Sequence, residues 1–492
     1  MPTTLSPMPR LLCILGLVLV IAAPLQAQQI ITFDEAIRLA LTQNTVLRQA
    51  EVSDGASELN VSSARADALP LPFISASVTP TQRYGLSFDQ TTGQLVSTTS
   101  ESLNLGISAS VNLFSGFRNS RALEQARLQR SASTFSLERT RQQVAFDVAS
   151  RFLQIMLDRE IVGIRRENLE AQRTQLTQIE TLVDAGARAR ADVFSQRAAV
   201  AVAEGVLLQA EQAVEFSNTR FVEVLHLDPF GDYEFVAPAL DGESLIPEEV
   251  SLDALLNAAY ERRADLHAQE RTIRAAEVGI GVARSNRLPT IDFQASFGTG
   301  YSSLQQRLLN PDAETILLPV TTENGDPILF GGVPFELPLQ ASPELESTPI
   351  FSQFGDNRGG SIGLSISIPI FDRYQTSRQI QQAQIEVQRQ ELTLESMRQS
   401  VAVEVRQAII DYRNAAAQLD VTAVQIEATE AALQAEQVRY ELGAGTLVAL
   451  AQARVQHTEA LSNRAQAIFQ FVFRRKLIDF ALGEIDLETS LF

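Results

Sequence analysis

The chain has 492 residues, of which 45% are hydrophobic and 20% charged, and its formal net charge is −19. This negative charge argues against nucleic acid as a partner, because phosphate binding requires the opposite sign. The one cysteine is Cys13 and the three histidines are scattered, which gives no disulfide and no metal-ligand spacing. We therefore expect no metal site and no cofactor.

Residues 1–27 have the pattern of a secretory signal peptide. Arg10 supplies the positive charge, residues 11–23 form a short apolar core, and Ala27 suits the position before a cleavage site. Beyond residue 27 no run of 18 apolar residues occurs, so the sequence offers no transmembrane helix. The protein is predicted to be exported, and any membrane span must consist of strands.

An internal repeat organises the rest of the chain. Asp34 and Asp253 open similar stretches 219 positions apart, and Phe114 and Phe371 are equivalent at a separation of 257. The second half therefore carries a longer loop between its strands. The predicted domains are a first repeat at 28–227, a connector at 228–250 and a second repeat at 251–492.

Each half is predicted to contain a helix, two strands joined by a loop, a long helix, a turn and a further helix. Period-two alternation marks the strands, and a stripe such as Val401, Val405, Ile409 and Tyr412 marks the long helices. A helix of this length would extend roughly 100 Å. The first half is predicted as helix 32–66, strand from 72, loop 80–101, strand 103–113, helix 119–185, and helix 191–225 after a break at Gly186. The second half is predicted as strand 291–297, loop 302–358, strand 360–370, and a long helix that breaks at Gly443 and Gly445.

The strands alternate apolar residues with Ser, Gly, Asn or Gln, as expected for lipid on one side and water on the other. Four strands cannot close a barrel, since spanning barrels need about eight, and open edges are not tolerated in lipid. Two, three or four copies must therefore share one barrel. The narrow, alanine-rich helix stripes indicate coiled-coil packing, so a barrel continued by antiparallel helices would form a tube into the periplasm.

At the level of motifs the chain resembles the TolC family of outer-membrane efflux proteins. The resemblance rests on Phe33-Asp34-Glu35-Ala36, on the strand-to-helix joints 112–116 and 368–371, and on Arg439-Tyr440-Glu441-Leu442-Gly443-Ala444-Gly445. It implies a mixed α and β fold: a homotrimer with a twelve-stranded outer-membrane β-barrel and a twelve-helix periplasmic coiled-coil barrel. It also implies a passive exit duct for tripartite efflux or type I secretion, with a periplasmic adaptor, an inner-membrane transporter and outer-membrane lipid as partners.

The resemblance further implies a gate at the periplasmic tip, where Tyr440 would hydrogen-bond to Asp192. The alternative is that Asp192 only caps the helix after Gly186. The sequence departs from the family at Gly445, where members carry an arginine, and at Ala449 and Gln452, where they carry aspartates. Two further candidate gate residues, Arg188 and Arg190, would supply different charges in the first turn.

Other functions are less favoured by the sequence. It has no phosphate-binding loop, nucleophile elbow or metal cluster, and His267 with Asp265 and Glu270 is expected to lie on a solvated helix face, so an enzyme is not expected. An exported coiled-coil scaffold or adhesin without a pore would explain the helices but not the four two-faced strands. The sequence does not separate drug or metal efflux from protein secretion, nor does it name the pump.

Overall fold

The computed structural model describes residues 29–88, 93–236, 251–308, 315–340 and 345–484. The predicted signal peptide lies outside these residues. The chain divides into two compact units. A sheet unit contains the described residues of 56–131 and 270–392, and a helical unit contains those of 1–55, 132–269 and 393–492.

The first half of the chain follows the predicted order, with one extra strand at each end. Its elements are β1 Gln29–Thr32, α1 Phe33–Gln43, α2 Thr45–Ala68, β2 Phe73–Phe88, β3 Leu95–Phe114, α3 Arg118–Asp184, α4 Arg190–Leu225 and β4 Tyr233–Val236.

The second half also follows the predicted order, with short elements between its two long strands. Its elements are α5 Leu252–Arg262, α6 Ala264–Ser285, β5 Thr290–Ser302, β6 Gln306–Leu308, β7 Thr315–Pro319, β8 Leu329–Phe330, β9 Val333–Pro334, β10 Glu336–Gln340, β11 Leu345–Ser347, α7 Ile350–Asp356, β12 Gly359–Ser367, α8 Gln375–Glu441 and α9 Leu447–Leu482. No helix within the described ranges is both long enough and apolar enough to cross a membrane.

The sheet unit is built on one antiparallel sheet with the strand order β12-β5-β3-β2. Its register places Ile74, Ala109, Ala295 and Ile362 in one row across all four strands. The neighbouring row consists of Ser75, Ser108, Ser296 and Ser361, with hydroxyl oxygens 2.8 Å apart in the outer pairs. Since successive side chains point to opposite faces, one face is apolar and the other is hydroxyl-rich, as the alternation predicts.

One of the two predicted loops is wrong in its extent. The loop 80–101 is much shorter, because β2 and β3 remain paired as far as Phe88 and Leu95. Pro80 suggested a break, but it lies within the edge strand β2, where a missing N–H group is tolerated. The bounds of the loop 302–358 agree with the structure, in which β5 ends at Ser302 and β12 begins at Gly359. Within it lie the short strands β6 to β11 and the helix α7.

The two joints between a strand and a long helix share one geometry. Phe114 and Phe117 meet edge to face at 5.1 Å, and Phe371 and Tyr374 do the same at 5.8 Å. The residue after the first aromatic caps the helix in both joints: the side chain of Ser115 accepts from the amide of Asn119, and that of Asp372 accepts from the amide of Thr376. The long helices therefore leave the sheet through equivalent turns.

The predicted helix 32–66 is interrupted at Asn44, which has an extended backbone. The Asn44 side-chain oxygen accepts from the amides of Val46 and Leu47, so it caps α2. The second half is interrupted in the same way at Arg263, between α5 and α6. Sequence periodicity did not reveal these breaks because the apolar spacing continues across them.

The helical unit is centred on two apolar clusters. In the first, the parallel strands β1 and β4 pair beside α3, and Phe152 contacts Phe33 and Phe221. The predicted connector contains the strand β4, which the sequence did not indicate, and Phe235 of this strand is fully buried in the cluster. In the second cluster, the predicted stripe of α8 is buried, and Tyr412 packs against Phe471 of α9.

Arg263 ties the end of α9 to its neighbours in the same unit. Its side chain is 5% exposed, forms two hydrogen bonds with Asp265 and one with Glu404, and donates to the carbonyl of Ala481. Burial alone would raise the pKa of Asp265, but its hydrogen bonds with Arg263 and the positive charge of Arg263 lower it instead. The expected solvated face is thus wrong for Asp265, which belongs to a buried ion network.

Candidate functional site

The candidate site is formed by the two turns that end α3 and α8. Gly186 and Gly443 both have φ of 74°, a conformation that glycine adopts without strain. In each turn the residue after the glycine donates back to a carbonyl five residues earlier, Ala187 to Leu182 and Ala444 to Arg439, both at 2.8 Å. These are matching Schellman caps, so the predicted breaks at Gly186 and Gly443 are confirmed.

Each turn opens a helix that runs back along the preceding one, which makes two hairpins, α3–α4 and α8–α9. The α3–α4 hairpin carries three ion pairs that recur every seven residues. They are Arg166–Glu211, Arg173–Glu204 and Glu180–Arg197. This is the interhelical charge pattern of an antiparallel coiled coil. The seven-residue spacing of these charges in the sequence is a signal from which the pairing of α3 with α4 can be predicted.

Tyr440 is the centre of the site. It is 4% exposed, and among the described residues its phenol oxygen has no hydrogen-bond partner. Burial raises the pKa of the Tyr440 phenol, the positive charge of Arg188 opposes this rise, and the negative charge of Asp192 adds to it. The phenol therefore stays protonated at neutral pH.

Arg188 is the residue that contacts Tyr440. Its guanidinium lies over the phenol ring, 4.3 Å from the ring centre, and donates to the Tyr440 carbonyl oxygen at 2.8 Å. A cation over an aromatic face and a charged donor at a helix C-terminus are both favourable. This contact joins the start of α4 to the end of α8, and hence one hairpin to the other.

Asp192 occupies the first turn of α4 and makes no hydrogen bond to Tyr440 within the chain. It is not the N-cap either, because Ala189 holds that position and offers no side-chain cap. A carboxylate in the first turn interacts favourably with the helix dipole even when it does not cap the helix. By contrast, α9 begins with a true cap, since the Thr446 hydroxyl accepts from the amide of Ala449.

Of the remaining predicted site residues, Gly445 is closely surrounded by backbone atoms, whereas Arg190 and Gln452 lie at the surface. A Cβ atom at Gly445 would lie 3.1 Å from the Tyr440 amide nitrogen, so a larger residue would require the turn to shift. Arg190 and Gln452 are exposed at the starts of α4 and α9. The structure brings Arg188, Tyr440 and Asp192 together and leaves Arg190 and Gln452 outside this contact.

Two further contacts between the hairpins were missed by sequence analysis. Arg454 of α9 donates to the carbonyl of Ala171 in α3 at 3.0 Å, and Thr458 donates to the Asn168 side chain at 3.3 Å. Burial lowers the pKa of Arg454. These contacts are polar, so an apolar stripe could not have indicated them.

The described residues contain no group of three or more His, Cys, Asp or Glu side chains that could hold a metal ion. His267, singled out in the sequence, has its Nε2 atom 2.8 Å from the carbonyl of Glu261 and its ring beside Phe135. These two contacts of His267 are structural.

The residues at the tip form a packing contact between the two hairpins.

Comparison with known proteins places these features in a wider context. The family model described as "Outer membrane efflux protein" matches residues 36–225 and 255–483. Protein CyaE of Bordetella pertussis is 24% identical over 456 residues, covering 92% of this chain and 84% of that protein. Outer membrane protein TolC of Escherichia coli is 24% identical over 470 residues, covering 95% and 84%.

Solved structures of outer-membrane channels share the fold. The OprN channel superposes with a TM-score of 0.68 at 21% identity, covering 92% of this chain and 90% of that one. CusC gives a TM-score of 0.70 at 17% identity, with 92% of each chain covered.

Proposed function

This chain belongs to the outer membrane efflux protein family, and we propose that three copies form the exit duct of a tripartite efflux or type I secretion system. The chain is an outer-membrane channel component that extends into the periplasm, as members of this family are. The trimer, the shared barrel, the partners and the gate are the proposal. An exported scaffold or adhesin without a pore is disfavoured by the family match.

The observation that carries the proposal is the open sheet. Strands β12 and β2 are its two edges, and its apolar residues are exposed, with Ile362 at 79% and Ile74 at 66%. In lipid every strand edge must be paired, and four strands are too few to close a barrel. Three copies would join edge β12 to edge β2 of the next copy and give about twelve strands.

The long helices support the same assembly. Besides its buried stripe, α8 exposes a second apolar stripe with strict seven-residue spacing. Its members are Val403, Ile410, Ala417, Val424, Ala431 and Val438. Helix α4 likewise exposes Phe194, Leu208 and Phe216. A second stripe of this kind is what a helix needs to pack against a further helix in a coiled-coil barrel.

The lengths of the helices support the two-fold repeat. Helices α3 and α8 both have 67 residues, and α4 and α9 both have 36. Two hairpins of equal length from each copy would give a tube of twelve helices with pseudo-six-fold symmetry. Such a tube places all its turns at one tip, which is where a periplasmic adaptor and an inner-membrane transporter would dock.

At that tip the contact between Arg188 and Tyr440 would hold the two hairpins of each copy together in the resting state. Burial and, to a smaller extent, the negative charge of Asp192 raise the pKa of the Tyr440 phenol, whereas Arg190 and Gln452 lie exposed at the starts of α4 and α9, outside this contact. A docked adaptor would separate the hairpins and widen the tube. The contacts of Arg188, Arg454 and Thr458 between the hairpins are polar, whereas the aromatic packing of Phe146 against Phe473 and Phe480 lies at the far end of the hairpins, so separation at the tip would leave this apolar contact in place.

Mass measurement of the detergent-extracted protein tests the assembly. The outer-membrane fraction should yield particles of three chains, which dissociate only when the detergent denatures them. A stable monomer that stays soluble without detergent would overturn the duct and favour the scaffold.

A further inference from the structure

The second half of the chain carries a hairpin outside the four-stranded sheet that no other part of the described chain covers. In residues 315–340, here called the outer hairpin, β7 pairs with β10. A smaller hairpin, β8 with β9, lies within it and turns at Gly331 and Gly332, whose φ values are 59° and 86°. Two positive φ angles are characteristic of a tight type I′ turn.

The tip of the smaller hairpin is apolar. Phe330 and Val333 flank the two glycines and are 83% and 67% exposed. In the stem, the adjacent residues Leu317 and Leu318 are both about half exposed. Since neighbouring residues of a strand point to opposite faces, the outer hairpin presents apolar side chains on both faces.

Such a hairpin requires a partner surface. A lone two-stranded hairpin is at best marginally stable in water, and exposed contiguous apolar patches mark interaction sites. The charged residues of 315–340 are Glu323, Asp326 and Glu336, with no Lys or Arg. The segment therefore has no basic side chain to attract the anionic lipid of an outer-membrane surface, so lipid does not fit as the partner. Glu323 and Asp326 lie at the other turn, away from the apolar tip, so their charge does not prevent two such tips from meeting.

The chain connections place this hairpin at the outer mouth of the duct. It lies between the end of β5 at Ser302 and the start of β12 at Gly359, whereas the long helices start from the opposite ends of the strands. Three copies of the hairpin would therefore be tethered around one rim. Tethering raises the effective concentration of each for the others to the millimolar range for short linkers.

We propose that the outer hairpins of three copies pack against one another through Phe330 and Val333 and cover the outer mouth of the duct. This inference rests on the trimer proposed above. Each exposed apolar tip is covered by the same tip of a second copy of this chain. The polar turn at Glu323, Asn324 and Asp326 stays in water, which explains why the apolar residues are concentrated at the other turn.

Single-cysteine cross-linking tests the contact in the assembled protein. Phe330→Cys is introduced after Cys13→Ser removes the one native cysteine, and intact cells are treated with a mild oxidant. Val333→Cys serves as a second variant, and Asn324→Cys as the matched control on the polar turn. Disulfide formation requires Cα atoms within about 7 Å.

We expect Phe330→Cys or Val333→Cys to form reducible pairs, with one chain of each trimer left unlinked, and Asn324→Cys to form few. Equal linking of the control would show random collision and overturn the inference. An intact trimer that does not link would also overturn the inference. This holds if the cysteine reacts with a membrane-impermeant maleimide, which indicates an uncovered tip. It holds equally if the cysteine is protected, which indicates cover by lipid or another protein. If the parent protein is not a trimer by mass, the proposed function itself fails.

Discussion

Removing the guanidinium of Arg188 is the most informative change at the tip. Arg188→Ala removes both the cation over the Tyr440 ring at 4.3 Å and the hydrogen bond to the Tyr440 carbonyl at 2.8 Å. The Tyr440 carbonyl then keeps the hydrogen bond from the Gly443 amide, at 3.1 Å. The two hairpins lose their contact at the tip, while the contacts of Arg454 and Thr458 further along remain.

The size of the effect follows from the two interactions. A partly exposed cation–π contact is worth about 0.5–1 kcal/mol, and a hydrogen bond from a charged donor about 1.5–3 kcal/mol. Ordering the long arginine side chain offsets part of this gain. A net value of about 2 kcal/mol per copy corresponds to roughly a 30-fold shift of the closed–open equilibrium at that hairpin.

Single-channel conductance in a planar bilayer measures this shift. Arg188→Ala should raise the resting conductance or its open fraction, and cells carrying it should become more sensitive to large antibiotics. Arg190→Ala is the matched control, since Arg190 lies two residues away, is exposed and takes no part in the contact. If Arg188→Ala remains trimeric and conducts like the Arg190→Ala control, the tip contact does not hold the gate closed.

Three other outcomes are expected. Arg263→Met removes the buried partner of Asp265 and Glu404, while Arg139 remains 3.9 Å from Asp265, and should lower the free energy of unfolding by about 3 kcal/mol in thermal melts. At the exposed neighbour, Arg262→Met should cost below about 1 kcal/mol, and equal costs would contradict the ion network around Arg263. Because the pKa of Tyr440 is raised in the folded protein, the stability that its neutral phenol contributes is present below the ordinary tyrosine pKa and is lost as pH rises through the higher folded value. Absorbance titration should therefore show a phenol that ionises late and that is missing in Tyr440→Phe. Gly443→Ala, at φ of 74°, should cost roughly 1 kcal/mol in thermal stability, and a neutral result would contradict the turn geometry.

The parts of the fold with strong periodicity were predictable from the sequence. Period-two alternation located the four long strands, and the spacing of Val401, Val405, Ile409 and Tyr412 located the buried face of α8. The glycines at 186 and 443 located both tips, because a left-handed residue ends a helix. The bounds predicted for α3 and α4 agree within one residue, since no proline or competing turn interrupts these helices.

What the sequence could not predict depends on contacts between distant segments. The pairing of β1 with β4 joins residues about 200 positions apart, and neither strand is long enough to show a pattern. The gate contact was expected between Tyr440 and Asp192, but within the chain Arg188 takes the tyrosine. Arg188 reaches the ring from the other turn, 4.3 Å from the ring centre, whereas Gly445, beside Tyr440, has no side chain that could do so.

The central claim, a duct with one end outside the cell and the other in the periplasm, is tested most directly by labelling from outside. Asn324→Cys and Ala187→Cys, each in the Cys13→Ser background, are treated on intact cells with a membrane-impermeant maleimide. The account predicts that Asn324→Cys is labelled at once and Ala187→Cys only after the outer membrane is permeabilised. Labelling of Ala187→Cys on intact cells, with Asn324→Cys protected until permeabilisation, would contradict it.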